Sequence, residues 1–298
     1  MPTPFRHVAL VGKHQAQGVQ PILQDIARLL GQRGIDVSVE RETAPSLGDA
    51  MPGGARAGVG AGYTLPELAE RCDLAVVVGG DGTMLGVARE MARHHLPLVG
   101  INQGRLGFIT DIRATDWQDA LVPILDGEYE EEARAMADGE VWRDGEEIFQ
   151  GFALNDVVVR STSATMIEVR VAVGDDFVAT LRADGLIVAS PTGSTAYALS
   201  AGGPILHPAI QGWVMVPVAS HTLSNRPIVL PDDREITIDF LGPGGKDATA
   251  NFDMHVFANL RIGDRVRMRL SPHRARFLHP RGWSYYATLR QKLHWHEN

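Results

Sequence analysis

Three glycines and one carboxylate occur together in the segment Gly79-Gly80-Asp81-Gly82-Thr83. Glycines allow backbone N–H groups to approach a phosphate without a Cβ in the way, and a carboxylate can accept a proton during a reaction. A carboxylate inside an anion-binding turn repels phosphate unless it takes a proton or holds a cation. The alternative interpretation is a tight turn in which Asp81 caps a helix, and the segment alone leaves both open.

The flanking residues place this segment between a strand and a helix. Residues 74–78 form an uninterrupted apolar run of strand length, and apolar residues then recur with helical spacing at Met84, Val87 and Met91. Ligands bind at the carboxyl ends of strands in open α/β sheets, and the following helix adds the positive end of its dipole. We therefore expect a phosphate-binding turn in which the contacting residues are Gly79, Gly80, Gly82 and Thr83.

Composition and charge exclude several classes of protein. The net charge of −8 argues against general nucleic-acid binding, which needs a basic face. The single cysteine, Cys72, excludes an internal disulfide and a cysteine-based zinc site. No run of about 18 apolar residues is present, and the first residues lack the apolar region of a signal peptide. We expect a cytoplasmic protein without a membrane or nucleic-acid partner.

The hydrophobic period changes near residue 128. Before it, a strand at residues 7–11, a helix face from Ile22 to Leu30 and a strand at 35–39 form a βαβ pattern, which is typical of a parallel sheet. After it, apolar residues alternate, as in Ile167, Val169, Val171 and Val173, which is typical of antiparallel strands. The chain becomes helical again after residues 277–280.

These patterns predict an α/β N-terminal domain with a Rossmann-like parallel sheet (1–127), a mostly-β, sandwich-like C-terminal domain (128–276), and a C-terminal segment (277–298) whose helix packs back on the first domain. Residues 47–62, rich in Gly, Ala and Pro, are expected to form a surface loop. Two helix starts are also predicted: a capping box at Thr64 with Glu67, and a cap at Thr115.

A second polar segment interrupts the β region after residue 189. Pro191 and Gly193 turn the chain, and Ser194 and Thr195 can cap a short helix that Gly202 stops. A helix N-terminus surrounded by hydroxyls suits phosphate or ribose. The alternative is a hydroxyl-rich capped helix that packs through its apolar side.

The order of these motifs resembles that of the NAD kinase family. The resemblance rests on Gly79–Thr83, Asn155-Asp156, Asp184-Gly185 and residues 191–197 (Pro-Thr-Gly-Ser-Thr-Ala-Tyr), with agreement at 102–108 and 221–227. Diacylglycerol kinases, sphingosine kinases and phosphofructokinases carry similar glycine loops, so the segment 191–197 is the more specific motif. The matches extend from about residue 74 to residue 227.

The resemblance implies ATP-dependent phosphorylation of the adenosine-ribose 2′-hydroxyl of NAD, which gives NADP. It also implies a homo-oligomer, a dimer or tetramer, and Mg²⁺ held through the nucleotide phosphates rather than by protein side chains. Asp81 would be the catalytic residue that accepts the hydroxyl proton. The residues implied to contact NAD are Asp81, Gly82, Asn155, Asp156, Arg182, Asp184, Thr192, Thr195, Ala196, Tyr197, Ser200 and His255.

Individual roles follow from the same resemblance. Asn155 and Asp156 would bind the adenosine portion, and Tyr197 would offer a flat face to adenine. Arg182 and Asp184, expected two apart on one strand, would line the nicotinamide end across a subunit boundary; the alternative is a surface ion pair. His255 stands where family members often have Gln, so its contact with NAD is an open question.

Three other functions compete with this one. A lipid kinase would need an apolar entrance and a membrane-binding face, for which this acidic chain gives no sign. A dinucleotide-binding sensor without catalysis would gain little from Asp81 beside phosphates. A nicotinamide oxidoreductase would need Gly-x-Gly-x-x-Gly spacing, which the loop lacks.

Overall fold

The apolar run beginning at Leu74 forms a strand at the centre of a parallel sheet. The computed structural model describes residues 4–13, 18–47, 62–104, 107–163, 165–222, 224–242 and 248–295. The chain divides into two compact units, residues 1–133 with 274–298 (unit 1) and residues 134–273 (unit 2). The predicted limits of independent domains, 127/128 and 276/277, stay a prediction. Most of the predicted loop at 47–62 lies outside the described residues.

Unit 1 alternates strands and helices. Its described elements are β1 (His7–Gly12), α1 (Val19–Gln32), β2 (Asp36–Val39), a 3₁₀ turn (Ala44–Ser46), α2 (Leu65–Arg71), β3 (Leu74–Gly79), α3 (Asp81–Arg93), β4 (Leu98–Asn102), β5 (Ile112–Arg113), α4 (Trp117–Leu125) and α6 (Tyr285–Leu293). The strands β2, β1, β3 and β4 pair in that order and are all parallel. Every residue of β3 is buried, because helices cover both faces of such a sheet.

The two predicted helix starts have different outcomes. Thr64 forms the capping box, since its side chain accepts from the Glu67 N–H while the Glu67 carboxylate accepts from the Thr64 N–H. The prediction of a cap at Thr115 is wrong. Helix α4 begins at Trp117 with Asp116 at the N-cap position, so Thr115 lies one residue too early.

Unit 2 is built from antiparallel strands. The strands, two of which also have residues in unit 1, are β6 (Tyr129–Arg143), β7 (Glu146–Ala153), β8 (Asp156–Ser161), β9 (Ile167–Val173), β10 (Asp176–Ala183), β11 (Gly185–Ala189), β12 (Gly212–Val218), β13 (Ile228–Pro231), β14 (Ile236–Phe240), β15 (Ala248–Phe252), β16 (Val256–Leu260) and β17 (Arg265–Pro280). A 3₁₀ turn (Gly193–Thr195) and the short helix α5 (Tyr197–Ser200) follow β11.

The strands of unit 2 form two layers around one core. One layer is a six-stranded sheet in the order β13-β12-β11-β8-β15-β16, and the other contains β10, β9, β14 and β17. Side chains of both layers, including Trp213, Phe240 and Phe252, share a single buried cluster. The predicted alternation in β9 is confirmed, because Ile167 and Val169 are buried there. The predicted fold class is therefore confirmed.

No helix among the described residues is long and apolar enough to cross a membrane.

A buried histidine ties the returning C-terminal segment into unit 1. The ring nitrogens of His279 lie 2.7 Å from the Asp111 carboxylate and 3.3 Å from that of Glu132. The Trp283 ring stacks on the imidazole at 3.9 Å. Burial alone lowers the pKa of His279, but its hydrogen bonds with Asp111 and Glu132 outweigh burial and raise the pKa above its usual value. Helix α6 follows and buries Tyr285 and Leu289, so the predicted packing of the C-terminal helix on the first domain is confirmed.

The raised pKa of His279 predicts a loss of stability in alkaline solution. Because the folded state holds this proton more tightly, the stabilisation is present below the unfolded value of 6.5 and is lost as the pH rises through the folded value. The free energy of unfolding, measured by urea denaturation from about pH 6 to about pH 9, should fall less steeply in His279→Gln than in the unaltered chain. The control is the exposed His94→Gln, which should keep the full pH dependence. Equal slopes in the two variants would contradict the role of His279.

Candidate functional site

The glycine loop lies at the carboxyl end of β3, as predicted. Gly80 is the N-cap residue of α3 and has an extended backbone with φ −112°. A Cβ placed at Gly80 or Gly82 would meet no atom within 4 Å, so both face open space. A Cβ at Gly79 would lie only 2.7 Å from Thr83 Oγ1, which explains the need for glycine there. Two backbone positions are therefore open to a ligand, while Thr83 packs against the turn.

The Asp81 side chain does not cap its own helix, so that alternative interpretation is wrong. Its Oδ2 accepts from the Phe108 N–H at 2.8 Å, and its Oδ1 accepts from the N–H groups of Ile109 and Thr110. The Thr110 hydroxyl also donates to Oδ1 at 2.8 Å, and the Asn102 amide donates to that hydroxyl at 2.7 Å. These contacts fix the orientation of the carboxylate. Oδ2 accepts one of these bonds and a carboxylate oxygen can accept two, so it retains capacity for a proton.

Gly107 brings the turn close to this carboxylate. A Cβ at this position would overlap Asp81 Oδ1 and the Thr110 hydroxyl, so no larger residue fits without movement of one of them. The Gly107 N–H donates to the Thr110 carbonyl at 3.0 Å and closes the turn. Of the segment 102–108 noted in the sequence, the Phe108 backbone N–H contacts Asp81 directly.

A cavity of about 370 Å³ opens at this loop. It is lined by Lys13, Gly79, Gly80, Asp81, Asn102, Gln103, Gly104, Gly107 and Lys292. Two of the three lysines of the chain therefore lie at one cavity. The site combines two ammonium groups, open glycine positions, the N-terminus of a 13-residue helix and one carboxylate. The ammonium groups, the open glycine positions and the helix N-terminus each favour an anion such as phosphate.

The sequence analysis missed both lysines. Lys13 directly follows β1, which pairs in parallel with β3, so the strand order predicts that it lies at the same edge as the glycine loop. Lys292 comes from α6, more than two hundred residues after the loop along the chain. No local pattern in the sequence indicates that contact.

In unit 2, three chain segments meet at Asn155 and Asp156. The Asp253 carboxylate accepts from the N–H groups of Leu154, Asn155 and Asp156 at 2.9, 2.7 and 3.2 Å. The Ser190 N–H donates to the Asn155 carbonyl at 2.8 Å. These bonds join the start of β8 to the ends of β11 and β15.

At Gly193 the chain passes very close to the Asn155 backbone. A Cβ there would overlap the Asn155 carbonyl, which accounts for the glycine in the motif 191–197. Asp253 and Met254 both have positive φ, 51° and 59°, so the turn that carries His255 is tight. His255 itself is exposed.

Asp156 is buried, and its Oδ1 has no hydrogen-bond partner among the described residues. Burial, and secondarily the charge of Asp253, raise the pKa of Asp156 to about 7. Asn155 is half-buried beside it.

The hydroxyls of residues 192–200 are arranged differently from the prediction. Thr195 and Ser194 donate to the backbone carbonyls of Thr192 and Pro191 instead of capping a helix. Helix α5 is only four residues long and has no side-chain cap. Thr192 is buried and its Oγ1 lies 3.4 Å from an Arg134 nitrogen. The prediction of a hydroxyl-capped helix N-terminus is therefore wrong, because these hydroxyls stabilise the turn before it.

The last residues of this motif are accessible to different degrees. Ala196 and Tyr197 are half-buried, and Ser200 is exposed. The Tyr197 ring packs in part against a small apolar cluster that includes Ile187 and Val214.

Arg182 and Asp184 do not share a strand, which corrects that expectation. β10 ends at Ala183 and β11 begins at Gly185, in the other layer, so Asp184 lies at the change of sheet. Arg182 is 55 % exposed and lies 3.8 Å from Glu168, as a surface ion pair would. Among the described residues, neither side chain bonds to the segments that meet at Asn155.

These features are those of an α/β unit with an anion-binding cavity joined to a β-rich unit. Two family models match the chain: the ATP-NAD kinase N-terminal domain over residues 8–129 and the ATP-NAD kinase C-terminal domain over residues 154–280. The chain belongs to the ATP-NAD kinase family.

Individual relatives and solved structures agree with this family assignment. The chain is 58 % identical to an NAD kinase of Polaromonas sp. (strain JS666) and 55 % identical to one of Variovorax paradoxus, in both cases over 100 % of this chain and 99 % of the relative. Its fold is similar to that of yeast NADH kinase complexed with NADH (TM-score 0.87, 21 % identity, 99 % of this chain and 89 % of that one). It is also similar to an NAD kinase from Archaeoglobus fulgidus in complex with ATP (TM-score 0.71, 23 % identity, 97 % of this chain and 98 % of that one).

The predicted family and the predicted enzyme class, a kinase acting on NAD, are confirmed. The lipid kinase and the non-catalytic sensor receive no support.

The contact at Gly107 generates a prediction. In Gly107→Ala the new methyl group must displace Asp81 or the turn, and a misplacement of about 1 Å at a catalytic group can lower kcat about a hundredfold. The matched control is Gly86→Ala in α3, where a Cβ would meet nothing within 4 Å. Steady-state formation of NADP, together with thermal unfolding of both variants, checks this. A Gly107→Ala variant with full kcat would show that the position of Asp81 is unimportant.

Proposed function

We propose that this chain transfers a phosphoryl group from ATP to the adenosine-ribose 2′-hydroxyl of NAD, and that the donor phosphates bind in the cavity of unit 1. The observation that carries the proposal is the meeting of Lys13, Lys292 and the glycine loop with Asp81 at that cavity. Phosphoryl transfer needs neutralisation of the phosphate charge, alignment of the reacting oxygens and an acceptor for the hydroxyl proton. The cavity offers groups for the first and the last of these.

The backbone and the lysines have separate tasks in this proposal. The N–H groups at Gly80 and Gly82 and the N-terminus of α3 bind phosphate oxygens, because no side chain blocks them. Lys13 and Lys292 neutralise charge that develops during transfer. The net charge of −8 makes such local cations necessary for an anionic substrate.

Asp81 is proposed as the general base. Its carboxylate is held by the turn at residues 108–110, so its orientation is set before the substrate binds. Preorganisation of this kind avoids an entropic cost in the transition state.

Mg²⁺ is proposed to bind through the phosphates of ATP. Among the described residues, no group of three or more His, Cys, Asp or Glu side chains is placed to hold a metal ion. Among the described residues that line the cavity, Asp81 is the one carboxylate, and with three hydrogen bonds to Oδ1 and one to Oδ2 it could offer a cation at most one further ligand position. The residues present therefore fit a cation held mainly by its nucleotide, where it would supply charge neutralisation.

NAD recognition is proposed to involve unit 2. Asn155 and Asp156 would bind the adenosine portion, since their junction presents a buried acid and a half-buried amide. Tyr197 would contact adenine through its accessible face. Thr192, Thr195, Ala196, Ser200, His255, Arg182 and Asp184 keep their predicted roles as proposals. The dimer or tetramer and the cytoplasmic location also stay predictions.

Removal of the Asp81 charge tests the catalytic role. Asp81→Asn keeps one acceptor oxygen for the turn but has no base, so kcat should fall by about 10²–10⁴ while the KM for NAD changes little. The same change at the exposed Asp25, on α1, is the control and should leave kcat unaltered. The assay incubates the pure protein with NAD, ATP and Mg²⁺ and measures NADP. If Asp81→Asn kept more than about a tenth of the original kcat, Asp81 would not be the base.

Substitution of Lys292 tests whether the ATP phosphates bind in the cavity of unit 1. A bond between an ammonium and a phosphate contributes about 1.5–3 kcal/mol, so Lys292→Gln should raise the KM for ATP about ten- to a hundredfold without an equal effect on NAD. Arg290→Gln makes the same charge change on an exposed position of the same helix and does not alter the lining of the cavity. Equal KM values for ATP in both variants would place the donor phosphates elsewhere.

A further inference from the structure

The ammonium group of Lys292 lies over the aromatic ring of Phe108. The distance from the Lys292 Nζ to the centroid of this ring is 5.3 Å. An ammonium within about 6 Å of an aromatic face is attracted by the negative charge density of its π system. Both side chains are half-buried, so water and salt screen this attraction less than at a fully exposed site. The contact joins the last turn of α6 to the turn that follows β4.

Phe108 also contacts Asp81, through its backbone. The Phe108 N–H donates to Asp81 Oδ2 at 2.8 Å. A single residue of the turn therefore holds a carboxylate with its main chain and an ammonium with its side chain. Because Asp81 and Lys292 both line the cavity of unit 1, Phe108 is a common contact of two opposite charges at that cavity.

The two opposite charges do not pair with each other. Among the residues that the structure describes, no carboxylate forms an ion pair with Lys292. A pair between Lys292 and Asp81 would occupy both the cation that a phosphate needs and the carboxylate that a hydroxyl proton needs. An aromatic face attracts the ammonium without a formal negative charge, and it does not use all three N–H donors. Lys292 on the ring therefore keeps its positive charge and N–H donors for an anion.

The alternative interpretation is that the lysine only packs and stabilises its helix. The methylene stem of a lysine can cover apolar surface, and a cation in the last turn of a helix interacts favourably with the helix dipole. Arg290 lies in the same last turn and is exposed, but it does not line the cavity. The ring under the ammonium and the place at the cavity therefore distinguish Lys292 from Arg290.

We propose that Phe108 is the positioning residue for Lys292: its ring holds the ammonium at the cavity, apart from Asp81, with N–H donors available to the donor phosphates. The inference rests on the proposed function, because it assumes that these phosphates bind in the cavity of unit 1. The ring stays against the ammonium when ATP is bound, since a cation can contact a π face on one side and a phosphate on the other.

The first experiment observes the contact in the absence of nucleotide. The chain contains only three lysines, so labelling with ¹³C-lysine gives three ε-methylene signals in the NMR spectrum of the full chain. The ring current of Phe108 should move the Lys292 signal upfield of the other two. The signal should be missing from Lys292→Gln and should return to the position of an ordinary lysine in Phe108→Leu. A Lys292 signal that is the same with and without the ring overturns the proposal, whatever the affinity for ATP.

The second experiment weakens the π face while it keeps the shape of the ring. Phenylalanines with one, two and three ring fluorines are incorporated at position 108 of the full chain. Each fluorine withdraws negative charge from the π face, so the KM for ATP should rise stepwise, by about two- to thirtyfold in total, while the KM for NAD changes little. Apolar packing alone predicts equal KM values throughout the series. Equal values, or a KM for ATP that falls with fluorination, overturn the proposal.

The third measurement is a double-mutant cycle. Phe108→Leu should raise the KM for ATP in the unaltered chain and should have no further effect in Lys292→Gln, because the ring acts through the ammonium. The matched control is Phe177→Leu, which removes a ring 5.1 Å from the Arg170 guanidinium in unit 2 and should leave the KM for ATP unaltered. An equal effect of Phe108→Leu in both backgrounds overturns the proposal.

The same variants separate this inference from the proposed function. If Lys292→Gln raises the KM for ATP but fluorination of the ring does not, the positioning role of Phe108 alone is overturned. If the ring-current shift is present but Lys292→Gln has the same KM for ATP as Arg290→Gln, the proposed donor site fails and the positioning role fails with it.

Discussion

The orientation of Asp81 is the constraint on which the site in unit 1 depends. Its carboxylate accepts four hydrogen bonds from three consecutive residues, Phe108 to Thr110, and these donors are available only because Gly107 lets the turn approach. That turn is in place because β4 lies beside β3 in a parallel sheet and ends at the same edge. The strand order therefore determines the direction of one side chain. An ordinary helix cap would have pointed it back along α3.

Patterns among neighbouring residues predicted much of the fold, whereas most individual contacts between residues distant in the chain could not be predicted from the sequence. The apolar run before the glycine loop and the capping box at Thr64 involve residues within a few positions of each other, and the structure contains both. The change of sheet at Asp184 was not predicted, because polar and apolar residues still alternate from Leu181 to Gly185 while the partner strand changes. The sequence predicted that the C-terminal helix packs on the first domain, but no local pattern predicted that this packing would bring Lys292 to the cavity.

The acidic chain concentrates its few ammonium groups where the phosphates are proposed to bind. Surface electrostatics of a protein with net charge −8 repel ATP and NAD over distances of a Debye length. Two of three lysines at one cavity reverse the sign locally, and open glycine positions add dipoles that need no counterion. Local arrangement, and not net charge, decides which anions bind.

Each unit contains a buried ionisable group, and the two groups affect the fold differently. His279 in unit 1 lies between two carboxylates, so its charged form has partners and stabilises the C-terminal segment. Asp156 in unit 2 is buried near the Asp253 carboxylate, and its Oδ1 has no hydrogen-bond partner among the described residues. Because its folded pKa is raised from 3.8 to about 7, stability decreases as the pH rises between those values. An apolar residue at position 156 would avoid this loss of stability, but it could not form a hydrogen bond with the substrate at this proposed contact. A buried carboxyl oxygen without a hydrogen-bond partner among the described residues lowers stability. Such an atom is expected where a ligand, rather than the fold, completes the hydrogen bonding.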